Sequence, residues 1–376
     1  MFLMFLHMKL QYVTSLFYMI KKGIFICITL LLFSCKKEGC TDEFALNYNP
    51  EAEINNGSCE YHTTTPYTIL TPEGFPNMTI PEDNPNTVEG IALGKKLFNE
   101  PLLSADGTQS CASCHFQSAN FSDTNQFSSG ITGQIGNRNA STIVNAGWNT
   151  SNFWDGRVVS LEDQAFEPIT NPIEMNNTWI NVENTLNANE DYQILFKEAF
   201  NIDYIDSTHV VKAIAQFERS LVSSNSKFDK FYRGEISLSP SELNGYAIYN
   251  SERGDCFHCH GTLLFTDNLF HNNAIESEEP FSDNGFGDVT YNPSDNGKFK
   301  TPSLRNIEHS APYMHDGRFA TLEQVLEHYN SGGHYTSTVD PLMKKIGIGL
   351  QLTNQELSDL LAFLKTLSDE DYVSEK

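Results

Sequence analysis

One five-residue pattern occurs twice in this chain and limits what it can fold around: Cys111-Ala112-Ser113-Cys114-His115 and Cys256-Phe257-His258-Cys259-His260. The C-x-x-C-H spacing sets two thiols one helical turn apart, where they can add across the two vinyl groups of a haem, and puts the next imidazole beneath the iron. Paired cysteines and a histidine also suit zinc, but a zinc ribbon brings its second cysteine pair within roughly 20 residues. Here the two histidines stand 260 − 115 = 145 positions apart, the scale of a domain. The histidine also follows the second cysteine directly in both copies, as haem attachment requires and zinc does not. Two covalent c-type haems are therefore expected, one held by Cys111, Cys114 and His115, the other by Cys256, Cys259 and His260.

The chain has 376 residues and a net charge of −24, long enough for two domains of ordinary size. So acidic a balance argues against nucleic acid, whose phosphates need basic partners, and suits a partner with a positively charged face. Of eight cysteines, four belong to the haem motifs. Cys27 lies in an apolar run, Cys35 ends that run, and Cys40 and Cys59 remain as a disulfide pair. Covalent haem attachment and persistent disulfides both name a compartment outside the cytoplasm.

Lys21-Lys22 and the apolar run from Gly23 to Phe33 have the charged start and short hydrophobic stretch of an export signal, too short for a membrane span. The run ends Leu32-Phe33-Ser34-Cys35, which resembles a bacterial lipobox, so residues 1–35 are expected to be a signal whose cysteine carries a lipid anchor in the periplasm. Residues 36–62, closed by Cys40 and Cys59, resemble the small Asp/Asn-rich disulfide modules of exported bacterial proteins. Residues 63–87, with Pro66, Pro72, Pro76, Pro81 and Pro85, are expected to form an extended linker or wrapping arm.

The remainder repeats itself. Asp155-Gly156-Arg157-Val158-Val159-Ser160-Leu161-Glu162 matches Asp316-Gly317-Arg318-Phe319-Ala320-Thr321-Leu322-Glu323, and Arg138 to Thr142 corresponds loosely to Thr301 to Asn306. Thr321 with Gln324 makes a capping box, Leu322, Val325, Leu326 and Tyr329 form one apolar stripe, and Gly332-Gly333 supplies the stop. Thr353 with Glu356 opens another helix with Leu357, Leu360, Leu361 and Leu364 on its apolar face. Val210, Ile214, Phe217 and Leu221 mark a helix late in the first half, and Ser241 to Tyr249 one leading into the second haem motif. Alternating runs are few. The expected fold is mainly α, with two tandem cytochrome c-type haem domains over residues 88–235 and 236–376 and long loops around the haems.

A haem held on one side by histidine has its behaviour set by the other side: a second strong ligand favours electron transfer, an empty position favours reaction with peroxide. No histidine lies between His115 and His209, so the distal loop of the first half offers no imidazole and its iron is expected to be open. Peroxide cleavage then needs a nearby base to take a proton and return it to the departing oxygen. Asp155 recurs as Asp316, which fits a shared turn or an arginine pair. Glu174 has no counterpart in the second half and is the better base.

The stretch from about Val88 to Leu367 resembles the bacterial di-haem cytochrome c peroxidases and their MauG-type relatives. The likeness is carried by Gly136-Asn137-Arg138-Asn139-Ala140, Phe153-Trp154-Asp155-Gly156-Arg157, Asn171-Pro172-Ile173-Glu174-Met175, Leu304-Arg305-Asn306-Ile307 and Pro312-Tyr313-Met314-His315-Asp316-Gly317. The resemblance implies that His115 ligates a peroxidatic haem with Glu174 as its acid/base and Gln164 beside it. It further implies that Trp154 stands between the haems, that His260 ligates the electron-transfer haem, and that Asn139 with the carbonyls of Ser310 and Pro312 holds a Ca²⁺. Two departures from the family pattern stand out. The loop Ser128-Ser129-Gly130-Ile131-Thr132-Gly133 lacks the histidine that plugs the peroxidatic iron in many family peroxidases. The far ligand of the second haem, methionine in the peroxidases, falls at Tyr329 as in the MauG type, with Met314 and Met343 as alternatives.

Together these residues imply a membrane-anchored, periplasm-facing peroxidase that reduces hydrogen peroxide with electrons from a small cytochrome c or cupredoxin, with a second copy of the chain as a further partner. Two alternatives stand beside it: a MauG-like oxidase modifying a partner protein, and a non-enzymatic di-haem electron carrier.

Overall fold

The computed structural model describes residues 36–374 apart from 44, 61, 62 and 278. The export signal and lipobox cysteine expected within residues 1–35 lie outside the described residues. The described residues divide into two compact units, one ending at 63 and the other beginning at 64.

In the first unit, strand β1 (Glu38–Gly39) pairs in parallel with β2 (Ile54–Asn55). The expected disulfide joins Cys40 to Cys59. Asparagine side chains take the place of regular structure: the Asn47 and Asn55 amide oxygens accept from the backbone N–H groups of Glu60 and Gly57. So short a segment has too little apolar surface for a core, and a covalent closure substitutes for it.

The second unit is mainly helical. Its longer helices are α1 (Val88–Phe98), α2 (Leu161–Thr170), α3 (Trp179–Asn187), α4 (Glu190–Phe200), α5 (Ser207–Ser220), α6 (Lys227–Tyr232), α7 (Pro240–Tyr249), α8 (Leu322–Ser331) and α9 (Asn354–Lys365). Each begins at a Ser, Thr, Asp or Asn whose side-chain oxygen accepts a backbone N–H of the first turn, which satisfies a donor the helix would otherwise leave bare. The capping boxes at Thr321/Gln324 and Thr353/Glu356 are formed, and Gly332 ends α8 in the left-handed region at φ 93°. Among the described residues of this unit the only paired strands are β3 (Phe270–His271) and β4 (Phe299–Lys300), antiparallel.

Two helix crossings are built alike. Gly94 of α1 lies so close to α5 that a Cβ there would overlap the carbonyl oxygen of Ala213 and the Phe217 side chain. Gly245 of α7 meets the Asp359 carbonyl and Phe363 of α9 in the same way. Leu93, Leu97, Ile169, Val182, Leu186, Phe196 and Ile214 fill the core around the first crossing, and Phe228, Tyr249, Leu360 and Phe363 the core around the second. Burying each such side chain contributes about 1.5–3 kcal/mol.

The internal repeat is tighter than the sequence comparison placed it. Asn145 and Asn306 both adopt the left-handed conformation (φ 58° and 56°) and each opens a short 3₁₀ turn. Phe153 and Met314 share a positive φ, and the bridges Asn152–Val158 and Tyr313–Phe319 match. All carry one offset, 306 − 145 = 314 − 153 = 161. Thr142 therefore pairs with Ser303, which corrects the looser alignment of Arg138–Thr142 with Thr301–Asn306. The two hydroxyls do the same work: Thr142 donates to the carbonyl of Asn120 and Ser303 to that of Leu264, one residue before Phe121 and Phe265.

Residues 83–87 run along α5. Pro66 bridges to Thr87, Gln216 donates to the Asn84 side chain at 2.8 Å, and Arg219 donates to that of Asn86 at 3.1 Å. Further back, the Trp148 indole donates to the Pro76 carbonyl at 2.7 Å. Buried asparagines answering buried polar groups of α5 hold this proline-rich stretch in place.

Candidate haem-binding and catalytic site

Both C-x-x-C-H segments follow the same local plan. The His115 Nδ1 lies 2.8 Å from the carbonyl oxygen of Phe121, and the His260 Nδ1 lies 2.8 Å from that of Phe265. Both phenylalanines have φ 54°, a conformation that costs a bulky residue energy and persists where surroundings enforce it. The backbone turn aims a carbonyl at the ring, fixes the proton on Nδ1, and leaves Nε2 as the nitrogen open to a metal. Burial depresses the basicity of both imidazoles, so both rings are neutral as a metal ligand must be.

Cys111, Cys114, Cys256 and Cys259 form no disulfide. Burial pushes the Cys111 and Cys256 thiols up to about 12. His115, Cys111 and Cys114 line a cavity of about 360 Å³, and His260, Cys256 and Cys259 a second of about 230 Å³. Two free thiols plus a neutral, oriented imidazole at the wall of each cavity fit a covalently attached haem.

The first cavity is lined both by residues expected at the peroxidatic haem and by residues expected to hold Ca²⁺. Glu174, Gln164, Trp154 and Asn139 line it, as do Ser310 and Pro312. The Asn171 amide donates to a Glu174 oxygen at 2.6 Å. Burial raises the Glu174 pKa above the ordinary carboxylate value, with the Asn171 bond opposing it. Asp155 is instead committed to arginine: Arg138 reaches it at 2.5 Å and Arg157 at 3.1 Å. Its counterpart Asp316 accepts the Arg318 backbone N–H at 3.2 Å, as Asp155 accepts that of Arg157 at 3.3 Å. Asp155 and Asp316 are thus turn-formers.

Among the described residues lining the first cavity, His115 is the only imidazole. Two methionines also reach its wall. Met175 is packed into the apolar core beside α2, and the Met314 Sδ accepts from the Asn273 amide at 3.4 Å on the side of the second cavity.

Tyr329, Met314 and Met343 all line the second cavity with His260. The Asn273 amide, 3.4 Å from the Met314 sulfur, lies 3.5 Å from the Tyr329 hydroxyl, so the two candidate ligands converge on one point. Burial pushes the Tyr329 phenol up to about 12, so its ligation requires a metal to displace the proton. His328 is buried, and its Nε2 lies 2.9 Å from the Asn273 carbonyl.

Trp154, Lys300, Pro302, Ile307, Tyr313 and Met314 line both cavities. The Trp154 indole donates to the Asn139 carbonyl at 2.8 Å, and its own carbonyl accepts the Lys300 backbone N–H at 2.8 Å.

Three residues at these cavities went unnoticed in the sequence. Glu218 lines the first cavity fully buried with one oxygen unpartnered, and burial pushes its pKa up to about 8. Its spacing of four from Ile214 on an apolar stripe was a signal available beforehand. Asn273 and Lys300 sit in irregular or two-residue segments with no periodicity to mark them.

The paired haem cradles, one beside a half-buried glutamate, define the class: a di-haem c-type oxidoreductase. Residues 88–237 match the family model of di-haem cytochrome c peroxidases. The chain is 38% identical to the methylamine utilization protein MauG of Methylorubrum extorquens over 80% of this chain and 83% of that one. It is 37% identical to the cytochrome c551 peroxidase of Nitrosomonas europaea over 76% and 81%. A solved MauG-like protein associated with microbial copper homeostasis superposes with a TM-score of 0.76 at 35% identity, covering 82% of this chain and 97% of that one. The chain belongs to the di-haem cytochrome c peroxidase family.

Proposed function

We propose that this protein reduces hydrogen peroxide to water, consuming two protons and two electrons per peroxide, with the electrons delivered by a small redox protein such as a cytochrome c or cupredoxin. A haem held through His115 with its opposite face free would bind peroxide and supply the redox chemistry. Glu174 takes a proton from the bound peroxide and returns it to the departing oxygen. The Gln164 amide orients the peroxide and Trp154 serves as the aromatic contact between the two haems. His260 would hold the electron-entry haem, with Tyr329 as a second ligand to it and Met314 and Met343 as alternatives. Asn139 with the carbonyls of Ser310 and Pro312 is the proposed Ca²⁺ site, oxygen ligands being what that ion prefers.

The observation that carries this function is a half-buried carboxyl group, Glu174, in the wall of a cavity where, among the described residues, the one imidazole is already positioned as a proximal ligand. A passive carrier has no use for such an acid. Steady-state oxidation of a reduced cytochrome by peroxide tests it: wild-type protein turns over, and Glu174→Gln abolishes turnover while retaining both haems. A Glu174→Gln protein as active as wild type would return the chain to the carrier class.

A second activity, MauG-like oxidation of a partner protein's side chains, is favoured by Tyr329 at the second cavity, since an anionic phenolate stabilises oxidised iron more than a thioether does. Poor cytochrome turnover alongside peroxide-dependent modification of a partner protein would select it. The export signal, the lipobox cysteine Cys35 and the Cys40–Cys59 disulfide support a periplasmic protein tethered to a membrane through lipid, with residues 36–62 as the spacer. No described helix is long and apolar enough to cross a membrane.

A further inference from the structure

Lys300 stands on β4 where the two cavities meet, and it lines both of them. The residue is only 9% exposed. Its ammonium has three donors and, among the described residues, one partner, the uncharged Asn149 amide oxygen at 3.0 Å. The other basic residues at the walls are either in ion pairs or less buried. Arg138 pairs with Asp155 and Asp283, Arg157 with Asp155 and Glu167, and Lys344 with Glu252. Lys345 lines the second cavity half-buried. Among the described residues no carboxylate lies within ion-pair distance of Lys300. Burial pulls its pKa down to about 8, opposed only by the field of Asp267.

A buried ammonium without a counter-ion costs several kcal/mol, and proteins either pair such a charge or lose it. Both cavities fit a haem, and each haem brings two propionate carboxylates. We infer that Lys300 is the counter-ion of a haem propionate at the junction of the cavities, a fixed positive charge between the two irons that raises the reduction potential of the haem it serves. Its backbone bond to the Trp154 carbonyl ties that charge to the aromatic residue shared by both cavities. Lys300 acts here as a positioning and tuning residue.

The inference rests on the two-haem reading, and its test uses no peroxide, so its failure and that of the peroxidase function are distinguishable. Potentiometric titration of the holoenzyme, followed optically, compares wild type with Lys300→Met and Lys300→Arg. The expected result is a lower potential for at least one haem in Lys300→Met, about tenfold in its reduction equilibrium, which is about 59 mV for a one-electron couple. Lys300→Arg stays close to wild type. Unchanged potentials in Lys300→Met overturn the inference, as does an equal shift in both variants, which would trace to packing. Should Lys300→Met not accumulate with both haems, the propionate bending bands in resonance Raman spectra of wild type and Lys300→Arg decide. Bands that differ support the contact, and identical bands overturn it.

Discussion

Ile131 donates its backbone N–H to the carbonyl oxygen of Glu174 at 3.0 Å. The loop that carries a blocking histidine in many family peroxidases is here fastened to the backbone of the proposed acid/base. Gly130 makes the approach possible, since a Cβ there would overlap the carbonyls of Ile173 and Glu174. Gly130→Ala is therefore expected to displace Glu174 and lower peroxide turnover by about 10–100-fold, the scale on which a misplacement of about 1 Å acts. Stopped-flow peroxide reaction alongside haem quantitation checks this, with haem content unchanged.

Glu174 must be ionised to accept the peroxide proton, and its pKa is raised by burial. Activity should therefore be lost as pH falls through a midpoint above the ordinary 4.5 of glutamate. The Asn171 bond favours the carboxylate, so Asn171→Ala moves that midpoint further up and reduces turnover at mildly acidic pH while sparing it at high pH. A kcat/KM profile of the two proteins gives the comparison. Glu174→Gln should lose about 10²–10⁴-fold above that midpoint, the difference narrowing below it.

Glu218 is a stability liability at neutral pH. Its folded pKa, pushed up by burial to about 8, lies above the ordinary 4.5 of a glutamate. The protonated acid is thus favoured by folding, and stability falls as pH rises from about 4.5 towards 8. Glu218→Gln keeps the shape and removes the charge. It should raise Tm at pH 7 and have little effect near pH 4, as thermal unfolding at the two pH values would show.

Much of this was legible in advance, and the reason differs by feature. The haem cradles were legible because the chemistry is local: two thiols and an imidazole within five residues. α8 and α9 were legible because capping boxes and apolar stripes announce helices. The carbonyls of Phe121 and Phe265 that orient the two histidines were not, because a positive φ at phenylalanine contradicts local preference and exists only when the surrounding fold imposes it. The register of the repeat was blurred for a related reason: Asn145 and Asn306 align through backbone conformation while the residues beside them differ. Lys300 and Asn273 matter through neighbours more than 40 positions away, which no pattern along the chain records.

Tyr329 and Met314 meet the same amide, Asn273, so the second haem can be read by exchanging one ligand candidate at a time. With Tyr329 as the far ligand, Tyr329→Phe changes the optical and magnetic spectra of the second haem and raises its potential, whereas Met314→Leu leaves both near wild type. The opposite pattern would assign Met314. Spectra of the two variants in the oxidised and reduced states provide the answer.

The central claim is an open iron over His115 beside a proton-carrying Glu174. Electron paramagnetic resonance of the oxidised protein as isolated, before and after one equivalent of hydrogen peroxide, tests it most directly. One high-spin signal, removed by peroxide without prior reduction of the protein, is expected. Two low-spin signals left unchanged by peroxide would contradict it.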